Sequence, residues 1–147
     1  MYHWQELYDR CMECDQCDLC KTRHSVVFGE GNLHADLMLI GEGPGADEDR
    51  TGRPFVGRAG QLLEKGLRAL DVEREEVYIA NIVKCRPPNN RVPETAEAEA
   101  CIGWLRNQVA LIRPKVIVCL GATSLKWIVS QDARITRIRG EWVEKKG

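Results

Sequence analysis

The chain has 147 residues, 44% of them hydrophobic and 29% charged, and a formal net charge of −1. These values suit one soluble globular domain with one core, and charge alone does not announce a nucleic-acid partner. No apolar run approaches the length of a membrane span, and residues 1–10, amphipathic and carrying Glu6 and Asp9, lack the apolar core of a secretory signal. The expected setting is therefore the cytoplasm, where seven cysteines, an odd number in a reducing compartment, read as metal ligands or buried thiols and not as a disulfide framework.

Residues 2–11 read as a short helix with Trp4, Leu7, Tyr8 and Cys11 on one face, followed by a polar, cysteine-rich stretch to residue 22. Val26-Val27-Phe28 leads into a glycine-containing turn, and residues 35–40 read as a buried strand. That strand ends in Gly41-Glu42-Gly43-Pro44-Gly45, which breaks any regular element. Residues 46–57 read as a loop, and 58–70 as a helix with Leu62, Leu63, Leu67 and Leu70 at helical spacing. A second buried strand over 77–83 runs into Cys85 and a proline-rich loop, 86–93. Residues 95–112 then read as a long helix with Cys101, Leu105, Val109 and Ile112 on one side. A third strand over 115–120 turns at Gly121 into a helix over 122–130, and 135–147 reads as a polar hairpin or tail. Strands alternating with helices predict parallel crossovers and an α/β layered fold, with residues 1–147 as a single domain.

Cys11, Cys14, Cys17 and Cys20 recur at every third residue, so any consecutive two make a C-x-x-C chelating pair. Cys85 lies at a strand end and Cys101 on a helix. Four thiolates suit an iron–sulphur cluster or zinc, and spacing alone leaves both open beside buried thiols. Cys119, mid-strand among Val116, Ile117, Val118 and Leu120, reads as a small buried hydrophobe. The glycine-rich turn from Gly41 to Gly45 sits at the carboxyl end of a parallel strand, where α/β folds hold ligands, and aims Glu42 into the crevice. A solvated Glu42 is the plainer alternative. In Gly52-Arg53-Pro54-Phe55-Val56-Gly57 the ring of Phe55 is either a platform for a flat base or a plug for the core. Asn81, inside an apolar strand, must be hydrogen-bonded. Its donor and acceptor match the O4 and N3–H of uracil, and a structural cap is the alternative. Arg50, Arg53, Arg58, Lys84, Arg86, Arg91, Arg134, Arg137 and Arg139 fall in segments read as loops, a local basic face compatible with nucleic acid or simply with solvated charge.

These pieces form longer blocks: Cys14-x-x-Cys17-x-Leu19-x-x-x-Arg23; Gly41-Glu42-Gly43-Pro44-Gly45-Ala46-Asp47-Glu48-Asp49; Gly52-Arg53-Pro54-Phe55-Val56-Gly57-Arg58-Ala59-Gly60-Gln61-Leu62-Leu63; Asn81-x-Val83-Lys84-Cys85-Arg86-Pro87-Pro88-x-Asn90-Arg91-x-Pro93; and Cys101. Together they resemble the iron–sulphur uracil-DNA glycosylases, family 4, over nearly the whole chain, a family also related to an N-terminal domain of a phage DNA polymerase. The resemblance implies a three-layer α/β/α fold around a central parallel sheet. It implies a [4Fe-4S] cluster of structural role on Cys14, Cys17, Cys85 and Cys101, with Cys11 and Cys20 outside the family pattern. It implies a uracil site made by Gly41, Glu42, Gly43, Phe55 and Asn81, with Glu42, Gly43 and Asn81 in the catalytic set. The implied reaction is hydrolysis of the N-glycosidic bond of uracil flipped out of DNA. The family pattern also carries a His-Pro-Ser or His-Pro-Ala motif and a further strand, which would follow Gly147; His3, His24 and His34 do not match it. The chain is therefore read as C-terminally incomplete, with an open sheet edge at 115–120 through which it could self-associate. The alternative is a catalytically impaired nucleic-acid-binding iron–sulphur module of the same fold.

Overall fold

The computed structural model describes residues 3–145. In chain order the elements are α1 (Trp4–Met12), β1 (Glu30–Gly31), β2 (Leu37–Gly41), α2 (Ala46–Thr51), α3 (Arg58–Ala69), β3 (Tyr78–Asn81), α4 (Thr95–Ile112), β4 (Val116–Cys119), α5 (Ala122–Ile128) and α6 (Ile135–Ile138). The sheet order is β1-β3-β2-β4. β2 runs parallel to both β3 and β4, and only the short β1 is antiparallel.

The apolar strands alternate between two cores, as a period of two requires when both faces are covered. Met38, Ile40, Tyr78 and Ala80 face the larger core, with Leu7 and Cys11 of α1 and Ala98, Ile102, Leu105 and Ile112 of α4. Leu39, Val77 and Ile79 face the smaller one, with Leu67 and Leu63 of α3. Helices thus cover both faces of the sheet, which gives the expected α/β/α layering. β4 pairs only with β2 among the described residues and stands at the sheet edge, where Val118 is 37% exposed and Cys119 half-buried. Cys119 is therefore less enclosed than its apolar neighbours suggest.

Three expectations need correction. The segment 46–57 opens with a helix, α2, because Glu48 reaches back to accept the Gly45 N–H at 3.0 Å and the acids Asp47 and Glu48 sit at its positive end. Residues 135–145, expected as a polar hairpin or tail, begin with the short helix α6 and continue as an exposed tail, with no hairpin among the described residues. Leu62 and Leu70, expected on the core face, are 72% and 75% exposed. Leu63 and Leu67, four apart, take the buried stripe; Leu62 is turned about 100° from it, and Leu70 lies past the helix end. The expected helix start at residue 2 lies outside the described residues.

Candidate functional site: a base-sized pocket and a cysteine-lined cavity

The register of the sheet builds the first site. Gly41 and Asn81 are direct partners at the carboxyl ends of β2 and β3. Pairing continues beyond them, with the Ile82 N–H donating to the Gly41 carbonyl at 2.9 Å and the Val83 N–H to the Glu42 carbonyl at 3.1 Å. Where the strands part, a pocket opens that holds about 650 Å³, part of it open to solvent. Glu42, Gly43, Phe55 and Asn81 line it, together with Glu48 and residues of the 87–91 loop. Of the five expected base-site residues, only Gly41 is not in the wall. It lies beneath, so close to its neighbours that a Cβ there would come within 2.4 Å of Phe55 Cζ and 2.7 Å of Asn81 Oδ1. The absence of a side chain at Gly41 lets ring and amide meet over the strand end.

Asn81 is 2% exposed, and its Oδ1 is buried with no hydrogen-bond partner among the described residues. No loop N–H among the described residues caps that oxygen. A buried acceptor left open beside a pocket is what a ligand donor would complete. Glu42 is half-buried, and its Oε2 accepts a hydrogen bond from Thr123 Oγ1 at 2.6 Å. Thr123 is brought there by the turn at Gly121, whose φ of +95° is a glycine conformation.

Phe55 lines the pocket and also packs against the smaller core, so the plug role is seen in part and the platform role is part of the function proposed below. Its φ of +49° is unusual for a residue with a side chain and costs roughly 1–2 kcal/mol. The surroundings hold it there. Buried Arg74 donates to the carbonyls of Pro54 and Phe55. Glu48 Oε2 accepts the N–H groups of Val56 at 2.9 Å and Gly57 at 2.8 Å, while Oε1 holds Gly45. Glu30 in turn ties Arg74 to Arg53, which meets it through two bonds of 2.7 and 2.8 Å. The hydrogen bond from Arg53 keeps the Glu30 carboxyl below the usual carboxylate range.

Glu48, Arg74 and Thr123 were not foreseen as site residues. An acid three residues into a helix that follows glycine is a readable capping signal for Glu48, whereas nothing local marks Arg74 or Thr123. The expected basic face is also smaller than the loops suggested. Lys84 is fully buried, while Arg50, Arg53 and Arg91 pair with Asp47, Glu30 and Glu97. Arg58, Arg134, Arg137 and Arg139 are exposed.

The second site is a cavity lined by Cys14, Cys17, Cys85 and Cys101, all four expected ligands, with Cys20, Arg23, Lys84 and Trp104. Arg23 braces it, donating to the Cys14 carbonyl at 2.6 Å and to Cys85 Sγ at 3.3 Å. The Lys84 N–H points at Cys101 Sγ at 3.1 Å. Cys11 does not line this cavity; it is fully enclosed beside it in the larger core, where burial pushes its thiol up to about 12. Burial pushes Cys101 up to about 12 as well, and raises Cys17 and Cys85. Such thiols become thiolates only against a strong positive charge, which a bound metal group supplies. Four thiols around one cavity are a donor set that suits an iron–sulphur cluster or zinc.

Comparison with known proteins agrees with this architecture. The family model of the Uracil DNA glycosylase superfamily matches residues 28–146. The chain is similar to the type-4 uracil-DNA glycosylase of Thermotoga maritima, 49% identical over all of this chain and 79% of that protein. It is equally similar, at 49% identity, to the type-4 enzyme of Pyrobaculum aerophilum, over 88% of this chain and 66% of that one. A DNA polymerase of Bacillus phage SP01 shares 32% identity over 81% of the chain, in a stretch that is 13% of the polymerase. Fold, pocket and sequence lead to one assignment: the chain belongs to the uracil DNA glycosylase superfamily.

Proposed function

We propose that this protein is a uracil-DNA glycosylase that excises uracil from DNA, and that Cys14, Cys17, Cys85 and Cys101 hold a [4Fe-4S] cluster. The observation that carries the first part is the open, buried Oδ1 of Asn81 beside the Phe55 ring over Gly41. A planar base with an N–H donor and an adjacent carbonyl satisfies that amide, and uracil has this edge through N3–H and O4. Cytosine has an acceptor at N3 and a donor at N4, so it meets the same amide orientation with the wrong groups. The reacting sugar carbon is shielded within the base stack, so the nucleotide is flipped into the pocket, with Phe55 stacking on the ring.

In the reaction the bond between the sugar carbon and uracil N1 breaks, its electron pair leaves with uracil, and a water oxygen bonds to the carbon. Glu42 lies at the pocket wall with one carboxylate oxygen held by Thr123, which leaves the other free to accept from that water. Gly43 lines the pocket beside Glu42, and a Cβ there would lie 2.7 Å from Val83 Cγ2, so the absent side chain lets the loop pack on Val83. The carboxylate also opposes the positive charge that builds on the sugar as the bond breaks. The cluster, when bound, ties the 14–17 segment to Cys85 at the end of the β3 connection and to Cys101 on α4; its role is structural. Support for this part is the gathering of the four thiols around one cavity.

The deciding experiment is release of uracil from a single-stranded oligonucleotide carrying one deoxyuridine, with deoxycytidine and thymidine controls, followed by alkaline cleavage of the abasic product. Uracil-specific release is expected from the wild-type protein, and an altered base preference from Asn81→Asp. Binding of the oligonucleotide without release would point instead to a non-catalytic nucleic-acid-binding module. Iron analysis of anaerobically purified protein tests the second part, and stoichiometric zinc without iron would refute it.

A further inference from the structure

Lys84 lies between the two cavities. Its side chain is 1% exposed, and an ammonium so deep in a protein is costly unless opposite charge is near. Among the described residues it has no carboxylate in ion-pair range. Its Nζ donates to neutral oxygens, Gln108 Oε1 at 2.7 Å and the Asn81 backbone carbonyl at 3.3 Å, and faces the Phe28 ring at 5.9 Å. Gln108 is itself enclosed, its Nε2 donating to the Phe28 carbonyl at 2.9 Å and the Tyr78 hydroxyl at 3.2 Å. The ionisable groups around Lys84 are the thiols of Cys11, Cys85 and Cys101. A buried cation beside these cysteines, with no acid next to it, finds its opposite charge where Cys85 and Cys101 ligate a metal group as thiolates.

We propose that Lys84 is a positioning residue shared by the two cavities: its buried charge is the counter-ion of the thiolate-ligated cluster, and the same Nζ holds the backbone carbonyl of Asn81 and so steadies the strand end that carries the Asn81 side-chain amide. The proposal rests on the cluster and uracil readings above. It has two separable consequences. A positive charge near the cluster favours the state with one more electron, so its loss moves the reduction potential to more negative values. Loss of the bond to the Asn81 carbonyl loosens the base-reading amide and weakens uracil binding.

The test uses the full protein, purified anaerobically, as wild type, Lys84→Met and Gln108→Glu. Iron content and voltammetry report on the cluster, and inhibition by free uracil reports on the pocket. Wild type must carry iron and be inhibited by uracil; without iron the cluster reading fails, and without inhibition the pocket reading fails, in either case before any variant is compared. Lys84→Met is expected to retain less iron, to show a more negative potential, and to be inhibited by uracil roughly fivefold more weakly, the effect of one hydrogen bond. Gln108→Glu offers Nζ a carboxylate while keeping the lysine; it is expected to lower the potential with uracil inhibition unchanged, and it decides the counter-ion role if Lys84→Met does not fold. Wild-type potentials in the variants overturn the counter-ion role. Unchanged uracil inhibition in Lys84→Met overturns the link to Asn81.

Discussion

Adding a single methyl group at Gly41 tests the base pocket more cleanly than removing one of its side chains. Gly41 is a strand residue outside the positive-φ glycines, so alanine is compatible with its backbone and by itself would favour the strand by about 0.5–1 kcal/mol. The new Cβ would lie 2.4 and 2.9 Å from two Phe55 ring carbons and 2.7 Å from Asn81 Oδ1. Carbon atoms in contact sit about 3.5–4.0 Å apart, so the ring must retreat by about 1 Å. The Phe55 backbone cannot follow, because Arg74 holds its carbonyl and Glu48 the next N–H, and Gly60 packs so close that a Cβ there would lie 1.8 Å from the Phe55 oxygen. The ring must then turn into the pocket, or the amide must swing. Overpacking of this kind costs about 1–3 kcal/mol, which leaves a net destabilisation of about 0–2.5 kcal/mol after the strand preference. Lost stacking of about 1–3 kcal/mol corresponds to roughly five- to 150-fold in kcat/KM. Urea denaturation and uracil release from a single-stranded oligonucleotide measure the two effects. Gly41→Ala with wild-type stability and wild-type kcat/KM would show that ring and amide do not define the pocket.

Four further outcomes follow from the same geometry. Glu48→Ala leaves the N–H groups of Gly45, Val56 and Gly57 without their acceptor and is expected to cost about 2–3 kcal/mol in urea denaturation, with uracil release falling in parallel. Thr123→Val frees the Glu42 carboxylate to rotate; kcat is expected to fall roughly tenfold with the denaturation midpoint unchanged. Glu30 is held below the usual carboxylate range by Arg53, and Glu97 by Arg91, so their stabilisation is complete above about pH 4.3, the unfolded value, and is lost as pH falls through the lower folded values. An acid titration of thermal stability should therefore steepen below that point, and Glu30→Gln should flatten part of the slope. Cys85→Ala is expected to abolish bound iron and visible absorbance, whereas Cys20→Ser keeps both; loss of iron in Cys20→Ser would make Cys20 a ligand.

The layered fold was legible because its signals are local. Val77 to Val83 and Ala35 to Ile40 are short apolar runs between turn residues, and their alternation places Met38 and Ile40 on one core and Leu39 on the other. The glycine-rich turn after β2 located the pocket for the same reason. Gly41 and Asn81 were each named as separate features; that they are register partners belongs to strand pairing, which one strand's sequence does not encode. The cysteines show the same limit. A repeat of three leaves the choice of ligands open, but α1 resolves part of it, because Leu7 and Cys11 stand four residues apart on the face turned to the core. No such periodicity separates Cys20 from Cys14 and Cys17, and all three reach the cavity.

Residues that sequence reasoning missed share a physical trait: they hold the pocket from behind. Arg74 looked like one more charge beside Glu73, Glu75 and Glu76, yet it is 9% exposed and bonded to two carbonyls of the Phe55 loop. Lys84 looked like part of a basic stripe, yet it lies under Asn81. Lys84 was read outward because charge is usually solvated, nothing local marked Arg74, and both are turned inward by neighbours distant in sequence. A strained backbone at Phe55 and an unsatisfied amide at Asn81 each raise the energy of the empty pocket. Several charged hydrogen bonds behind them are needed to keep ring and amide in place until a base arrives. Weakening the support should therefore lower turnover before it changes which base is chosen, whereas Asn81→Asp should do the reverse. Comparing uracil with cytosine release across Glu48→Ala, an Arg74→Met variant and Asn81→Asp separates the two, and a loss of base discrimination in the support variants equal to that in Asn81→Asp would contradict this division of labour.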